Sequence, residues 1–345
     1  MGYQKWSYEL LHGFCMDAFE KFGFTEAEAN IIQDVLLTAD LYGIESHGMQ
    51  RMVRYHKCIE KGMIHVDAKP EVVFETPVSA VVDGHDGMGQ LIGHFAMELA
   101  IEKAKKSGVG IVSARNSNHF GIAGYYANMA CKEGLIGFSC TNSEAIMVPT
   151  FGRKAMIGSN PIACAMPAEP YNFFFDASTT VVTRGKLEMY NKAEKPLPEG
   201  WALDKDGRPT TDPAAGRAGS LVPIGGAKGS GLAIMVDVLC GILSGGPYGP
   251  HLHDLYVMDE PQGVSHFLGA IDIAHFIEPA AFKSALSAMS REIKALKKAD
   301  GVEEIFLPGE RSGRKAEENA ANGIEVPQPV YEELLELGKP YGLSL

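Results

Sequence analysis

The chain has 345 residues, enough for about two domains, with 46% hydrophobic and 21% charged residues and a formal net charge of −12. That composition supports a full apolar core, and an acidic balance without any Lys/Arg block argues against a nucleic-acid partner. The six cysteines form no C-x-x-C pair, the start MGYQKWSYELL has no apolar signal core, and the longest apolar stretch, Leu232–Leu243, contains Asp237 and is too short to span a bilayer, so a disulfide scaffold and a membrane protein are set aside and a cytoplasmic protein is expected.

Apolar spacing predicts helices over residues 7–62. Leu10, Leu11 and Phe14 lie at helical spacing, and Thr25-Glu-Ala-Glu28 is a capping box for a second helix running to about Tyr42. After the turn Gly43–Gly48, a third helix covers Met49–Lys61 and carries Arg51, Arg54 and Tyr55 on one face. Ser46 and His47 precede it. Serine, histidine and arginine at a helix N-terminus suit a carboxylate; the plainer reading is Ser46 as a cap beside solvated arginines.

The pattern changes at Pro70. Val72–Phe74 and Ser79–Val82 read as paired strands, followed by a helix over Gln90–Lys106. Between them Gly87, Gly89 and Gly93 form G-x-G-x-x-x-G, with the last glycine one place late for the dinucleotide fingerprint. They read as turn and close packing. Val109–Val112 reads as a buried strand leading into Ser113–Tyr126, a polar loop with His119 and then a helix over Ile122–Cys131. An imidazole at the carboxyl end of a strand stands where open α/β sheets bind ligands, and histidine both takes and gives protons near neutral pH. The plainer reading is a histidine holding a turn.

Further apolar runs end in small polar residues. Leu135–Cys140 ends at Thr141–Glu144, Ile162–Met166 follows Gly158–Pro161, and Phe173–Phe175 ends at Asp176–Thr180. Hydroxyls and amides at strand ends suit ribose and amide groups. Residues 184–226, rich in Gly and Pro, are expected to be irregular. Ile224–Gly231 opens an apolar helix over Leu232–Leu243; Gly229 after Lys228 departs from a Walker A loop, although a lysine beside exposed amides holds a phosphate or carboxylate. His251 and His253 have no evident third metal ligand, and no metal is expected. Val264–Ile273 reads as a strand, Pro279–Lys297 as a helix, Ile305–Glu310 as a strand entering a turn, and Glu317–Asn322 and Val330–Leu337 as closing helices. The helical N-terminal region is expected to pack with the C-terminal one, because neither is large enough for its own core.

Taken together, a set of motifs resembles the malate/L-lactate dehydrogenase family, in the same order along most of the chain. They are Ser46-His-Gly48 with Arg51 and Tyr55, Asn116-Ser-Asn-His119 with Gly121 and Gly124, Thr141-Asn-Ser143, Gly158-Ser-Asn-Pro161 and Asp176-Ala-Ser-Thr179. Gly185-Lys186, Pro198-Glu-Gly-Trp201 with Asp204, Pro209–Pro213, Lys228-Gly229 and Pro308-Gly-Glu310 continue the series. The resemblance implies an α/β fold with a non-Rossmann NAD(P)-binding mixed-sheet domain (residues 71–274) and a mainly helical domain built from both chain termini (residues 1–70 with 275–345). It implies a homodimer, and NAD as cofactor with NADP open. His119 matches the family's acid/base histidine, and His47 a histidine that some members are thought to use as proton donor. Ser46 and Arg51 match groups near the substrate carboxylate. Ser143, Asp176, Ala177, Ser178, Lys228, Pro308, Gly309 and Glu310 match cofactor-contacting positions. Two departures stand out: Ser230 replaces the aromatic residue of Lys-Gly-Tyr-Gly, and Glu144 lies where relatives vary.

The expected reaction is reversible hydride transfer between the nicotinamide and a small 2-hydroxy acid, malate- or lactate-like. His119 would take the hydroxyl proton, Arg51 would bind the carboxylate as a bidentate fork, and Ser46 and His47 would orient substrate or relay the proton. A reductase of a cyclic imino acid, a nucleotide-binding protein without turnover and a zinc hydrolase are the competing readings.

Overall fold

The structure, a computed structural model, describes residues 2–255 and 257–345. Strand β1 (Tyr3–Trp6) and helices α1 (Tyr8–Lys21), α2 (Glu26–Leu41) and α3 (Met52–Glu60) come first. Strands β2 (Glu71–Glu75) and β3 (Ser79–Asp83) follow, then α4 (Gly89–Ser107), β4 (Val109–Ser117), α5 (Ala123–Lys132), β5 (Ile136–Thr141), β6 (Ile162–Met166) and β7 (Phe173–Ala177). Helix α6 (Arg184–Lys192), strands β8 (Ala202–Leu203) and β9 (Pro209–Thr210), helix α7 (Pro213–Ala218) and strand β10 (Ser220–Leu221) form an excursion. Helix α8 (Ala227–Asp237), strand β11 (Val264–Ile271), helices α9 (Pro279–Lys294) and α10 (Glu310–Asn322), strand β12 (Ile324–Pro327) and helix α11 (Gln328–Gly338) complete the order.

The fold is mixed α/β. Seven strands form one mixed sheet in the order β2-β3-β4-β11-β5-β6-β7. β3 and β4 run parallel, whereas β11 enters antiparallel between β4 and β5. Helices α4 and α5 lie close on the sheet because the strands offer glycines beneath them. A Cβ at Gly110 would sit 2.0 Å from the Ala100 carbonyl oxygen, and one at Gly137 2.0 Å from that of Ala127. Val82, Met97, Val112, Ala114, Tyr126 and Leu268 belong to the core formed there.

A second core draws on both chain ends: Leu11, Phe19, Leu36, Met52 and Tyr55 pack with Ile324, Val326 and Leu334. β1 and β12 pair antiparallel, Tyr3 opposite Pro327, and tie the ends together. The sequence pattern does not announce these two short strands.

Several expectations are corrected. Ile305–Glu310 is no strand: the segment reaches the sheet through one backbone bond, Phe174 N–H to Pro308 O (3.2 Å), and Gly309 turns left-handed (φ 98°) to start α10. Residues 184–226 are not irregular. Thr183 caps α6, and Asp212 caps α7 with Pro213 in its first turn, while β8, β9 and β10 pair into a small sheet. Strand β4 continues five residues past the predicted Val112, to Ser117, because its polar side chains find partners: Ser113 Oγ donates to Leu239 O at 3.1 Å. Helix α8 begins at Ala227, inside the glycine-rich run.

Candidate active site

The end of β4 carries Ser117, Asn118 and His119 out of the sheet. Asn118 is buried and donates to the carbonyls of Asp86 (3.0 Å) and Gly87 (2.9 Å). A Cβ at Gly89 would meet the Asn118 oxygen at 2.2 Å and the His119 oxygen at 2.6 Å. The glycine cluster is therefore the bed on which the His119 turn rests. Gln262 Oε1 accepts from the His119 backbone N–H at 2.8 Å. Phe120 is sandwiched between Tyr126 and His266, with ring centroids 4.5 and 4.1 Å away. These contacts fix the backbone on both sides of the imidazole.

The His119 ring faces the N-terminal helices. Its Nδ1 lies 2.7 Å from Tyr55 Oη on α3 and accepts from Gly121 N–H at 3.3 Å. Gln90 Nε2 on α4 donates to Tyr55 Oη at 3.0 Å. The His47 ring stacks on that of His119, centroids 5.4 Å apart and 27° from parallel. Ser46 Oγ lies 2.8 Å from His47 Nδ1, and Arg51 Nε donates to Ser46 O at 2.7 Å. Asp40 fixes this loop from α2 by accepting from Met49 N–H at 2.8 Å. Ser46, His47, Arg51 and His119 thus converge as the sequence motifs imply.

Burial is the main force on the protons here, and the Arg51 charge is the second. Together they lower the His47 pKa to about 3 and hold His119 well below its usual value. Both imidazoles are neutral at pH 7, the form that accepts a proton. Glu144 is pushed up, first by burial and then by Asp254, against the pull of Arg184 and Arg51.

The predicted cofactor positions fall into two linked groups. Ser143 N–H donates to Asn160 Oδ1 at 3.1 Å, and Ser143 Oγ accepts from Ser159 N–H at 3.1 Å. Thr179 N–H donates to Ser159 O, and Ile224 N–H to Thr179 O, both at 2.9 Å. These bonds bring Ser143 and the Ser178 segment beside the start of α8, where Lys228 lies in the first turn. Asn160 Nδ2 donates to Ala233 O at 2.9 Å and locks α8 to the same strand ends. The second group surrounds β7. Asp176 accepts from Gly124 N–H at 2.7 Å and is raised to about 6 by burial. Ala177 pairs with Ile162, and Pro308 and Gly309 lie beside Asn172 and Phe174. The Glu310 carboxylate is taken up by Lys294 (2.7 Å) and Leu307 N–H (3.2 Å).

The donor set fits a dinucleotide. Gly225 and Gly226 have positive φ, and a Cβ at Gly226 would meet nothing within 4 Å, so there is space at the start of α8 beside Lys228, although Gly226 N–H and Gly229 N–H are already taken by the carbonyls of Pro223 (3.2 Å) and Ile224 (2.9 Å). The hydroxyls of Ser143, Ser159 and Ser178 suit ribose. Among the described residues no group of three His, Cys, Asp or Glu is placed to hold a metal, and no helix is long and apolar enough to cross a membrane.

Sequence reasoning missed Gln90, Gln262, His266 and Asp40, and named Asn160 only as part of the Gly158–Pro161 motif, without a role. Gln90 and Asn160 lie inside noted motifs and were legible as polar residues next to glycines; Gln262 and His266 had no local signal.

The site, a buried neutral imidazole beside an arginine, lies in a chain whose family and relatives make it an NAD(P)-dependent oxidoreductase of hydroxy and oxo acids. The chain belongs to the malate/L-lactate dehydrogenase family, whose model matches residues 6–335. It is 43% identical over 344 residues to a malate dehydrogenase of Pyrococcus horikoshii, covering 97% of this chain and 95% of that one. The sulfolactate dehydrogenase of Methanocaldococcus jannaschii superposes with a TM-score of 0.93 at 38% identity, over 99% of this chain and 98% of that one. A delta1-piperideine-2-carboxylate reductase of Pseudomonas syringae superposes with a TM-score of 0.87 at 29% identity, over 97% and 99% of the two chains.

Proposed function

We propose that this chain interconverts a malate- or lactate-like 2-hydroxy acid and its 2-oxo acid, with His119 as acid/base and Arg51 as the carboxylate anchor. The observation that carries this reading is the neutral His119, held by Tyr55 and stacked on His47 beside Arg51. When bound, a nicotinamide would supply the acceptor for the hydride leaving the 2-carbon and the donor for its return. His119 takes the hydroxyl proton as the carbonyl forms and gives it back in reduction. Arg51, whose Nε is fixed on Ser46 O, pairs with the substrate carboxylate. Ser46 and His47 close the same side and keep water from the reacting carbon. Lys228 at the opening of α8 would hold the diphosphate of a bound dinucleotide, and Ser143, Ser178, Asp176, Ala177, Pro308 and Gly309 would contact the rest of it. Glu310 fixes Pro308 and Gly309 by anchoring their turn on Lys294.

The division of labour follows the two cores. Residues 71–274 form a cofactor-binding domain whose mixed sheet is not a Rossmann sheet, since the glycine cluster supports His119 and not a diphosphate. Residues 1–70 with 275–345 form the helical domain that carries Ser46, His47 and Arg51 to it. The working unit is a cytoplasmic homodimer. Leu232, Met235, Val238 and Ile242 follow one face of α8 and its continuation and are 41–54% exposed, an apolar stripe that a second copy covers.

NADH and NADPH oxidation with oxaloacetate, pyruvate, 2-oxoglutarate and sulfopyruvate tests the reading, with pyrroline-carboxylate as the cyclic-imine arm. Rapid turnover of one oxo acid, lost by about 10²–10⁴ in His119→Ala with NADH affinity kept, is expected. Turnover of the imine alone moves the assignment to imino-acid reduction.

A further inference from the structure

Gln90 is fully buried on α4. Its Nε2 donates to Tyr55 Oη, whereas its Oε1 has no hydrogen-bond partner. An orphaned amide oxygen is uncommon in a core, and this one belongs to a side chain only one residue removed from the acid/base histidine. The hydrogen bonds, as drawn, run in one direction. Gln90 N–H donates to Tyr55, Tyr55 O–H donates to His119 Nδ1, and Gly121 N–H donates to the same nitrogen at 3.3 Å. With Nδ1 an acceptor, the single proton of neutral His119 sits on Nε2.

That form is the wrong base for an alcohol. The Nδ1 edge is occupied by Tyr55 and Gly121, so substrate meets the Nε2 edge, and Nε2 needs a lone pair to take the hydroxyl proton. Nδ1 then carries the proton and donates it to Tyr55 Oη, and the Tyr55 hydroxyl needs an acceptor in turn. Turning the Gln90 amide by half a revolution about its last bond puts Oε1 where Nε2 lies and supplies one. Either orientation leaves one end of the amide without a partner. Gly121 N–H opposes the turned form, since it loses its acceptor.

From this geometry, and resting on the acid/base role proposed for His119, we infer that Gln90 is a positioning residue whose amide orientation, relayed by Tyr55, sets which nitrogen of His119 carries the proton. During turnover Oε1 faces Tyr55. Nδ1 keeps its proton throughout, and the substrate proton comes and goes at Nε2: neutral imidazole becomes imidazolium as the alcohol is oxidised, and the reverse step returns that proton to the oxo oxygen. Burial and the Arg51 charge disfavour the imidazolium; His47 from the N-terminal segment and His266 from β11, both neutral near pH 7, also face His119. Through Tyr55, the Gln90 carbonyl favours the imidazolium.

Two substitutions separate this role from simple packing. Gln90→Glu makes the end of the chain a permanent acceptor with negative charge, and the acid limb of the kcat–pH profile for alcohol oxidation should move up by about one pH unit. Gln90→Leu removes the acceptor, and the same limb should move down. Lost packing alone would shift neither or both in the same direction, and that outcome overturns the proposal. Nitrogen-15 NMR of His119 in the NAD-bound enzyme is independent of activity. A proton on Nδ1 in the wild type, lost to Nε2 in Gln90→Leu and in Tyr55→Phe, supports the relay; a proton on Nε2 in the wild type overturns it. If His119→Ala keeps full turnover, the acid/base reading falls, while the NMR result still decides whether Gln90 sets the tautomer.

Discussion

Tyr55 Oη and His119 Nδ1 lie 2.7 Å apart, joining helix α3 to the end of strand β4 across 64 positions of sequence. Neither residue reaches its partner through local structure. The bond exists because the helical layer at the chain's ends is pressed onto the sheet.

Tyr55→Phe keeps the ring in its core and removes that bond. Gln90 Nε2 then loses its acceptor, which leaves a buried donor unpaired at about 1–3 kcal/mol. We expect the urea midpoint to fall by a corresponding amount. Turnover should drop about tenfold or more, a part of the roughly 10²–10⁴ that a positioned acid/base group contributes. Loss of stability with unchanged kcat would make Tyr55 a packing residue.

Gly48→Ala tests the loop that carries His47. The backbone of Gly48 (φ −86°, ψ −152°) suits alanine, so no conformational strain arises. The new Cβ, however, would lie 1.8 Å from Asp40 Oδ1. The buried carboxylate must move and release Met49 N–H, and overpacking of this kind costs about 1–3 kcal/mol. Adding Asp40→Ala gives the methyl room, so the double variant should be more stable than the sum of the two singles predicts. Strict additivity in thermal unfolding would place the effect elsewhere.

The charge of Arg51 predicts a difference between two pH profiles. In the free enzyme it helps to keep His119 neutral. A bound carboxylate compensates that charge, so the imidazolium is less disfavoured in the complex. The acid limb of kcat for alcohol oxidation should then lie at higher pH than the acid limb of kcat/KM, since the first reports the complex and the second the free enzyme. Coincident limbs would mean that the substrate carboxylate does not pair with Arg51.

Much of this site could be read from the sequence because its polar residues interrupt apolar runs at strand ends or helix starts. His119 follows Val109–Val112 in that way, and Ser46, His47 and Arg51 crowd one helix start. Gly89 and Gly93 serve close packing, since their Cβ positions are filled by the His119 turn and by Tyr126. What could not be read depends on distant pairing. Gln262 lies in a loop with no periodic signal, yet its amide reaches His119 N–H from 143 positions away. β1 and β12 are four-residue strands that form because the chain ends meet. Ile305–Leu307 looks like a strand by composition, but Pro308 supplies no N–H and Gly309 turns the chain away, so tertiary context decided against propensity.

His266 offers a stability measurement whose sign is fixed by its surroundings. It is buried on β11, with Nε2 2.7 Å from Ser117 Oγ and Nδ1 2.8 Å from Thr141 Oγ1. Burial lowers its pKa to about 3, whereas the unfolded imidazole titrates near 6.5. Between those values the unfolded chain binds a proton that the folded chain refuses. The contribution is therefore fully present above about pH 6.5 and falls by about 1.4 kcal/mol per pH unit as the solution is acidified through that window. Asp40 and Asp176, raised to about 8 and about 6 by burial, act in the opposite sense: they favour the folded state in acid and lose that contribution as pH rises through those values. Comparing wild type with His266→Gln cancels these shared contributions. The wild type should gain on the variant by about 1.4 kcal/mol for each pH unit from about 4 to 6, and the gap should level off above 6.5. Urea unfolding across that range measures it. A gap that does not change with pH would mean that the His266 pocket accepts the imidazolium, and Ser117 and Thr141 would then have to be accepting from it.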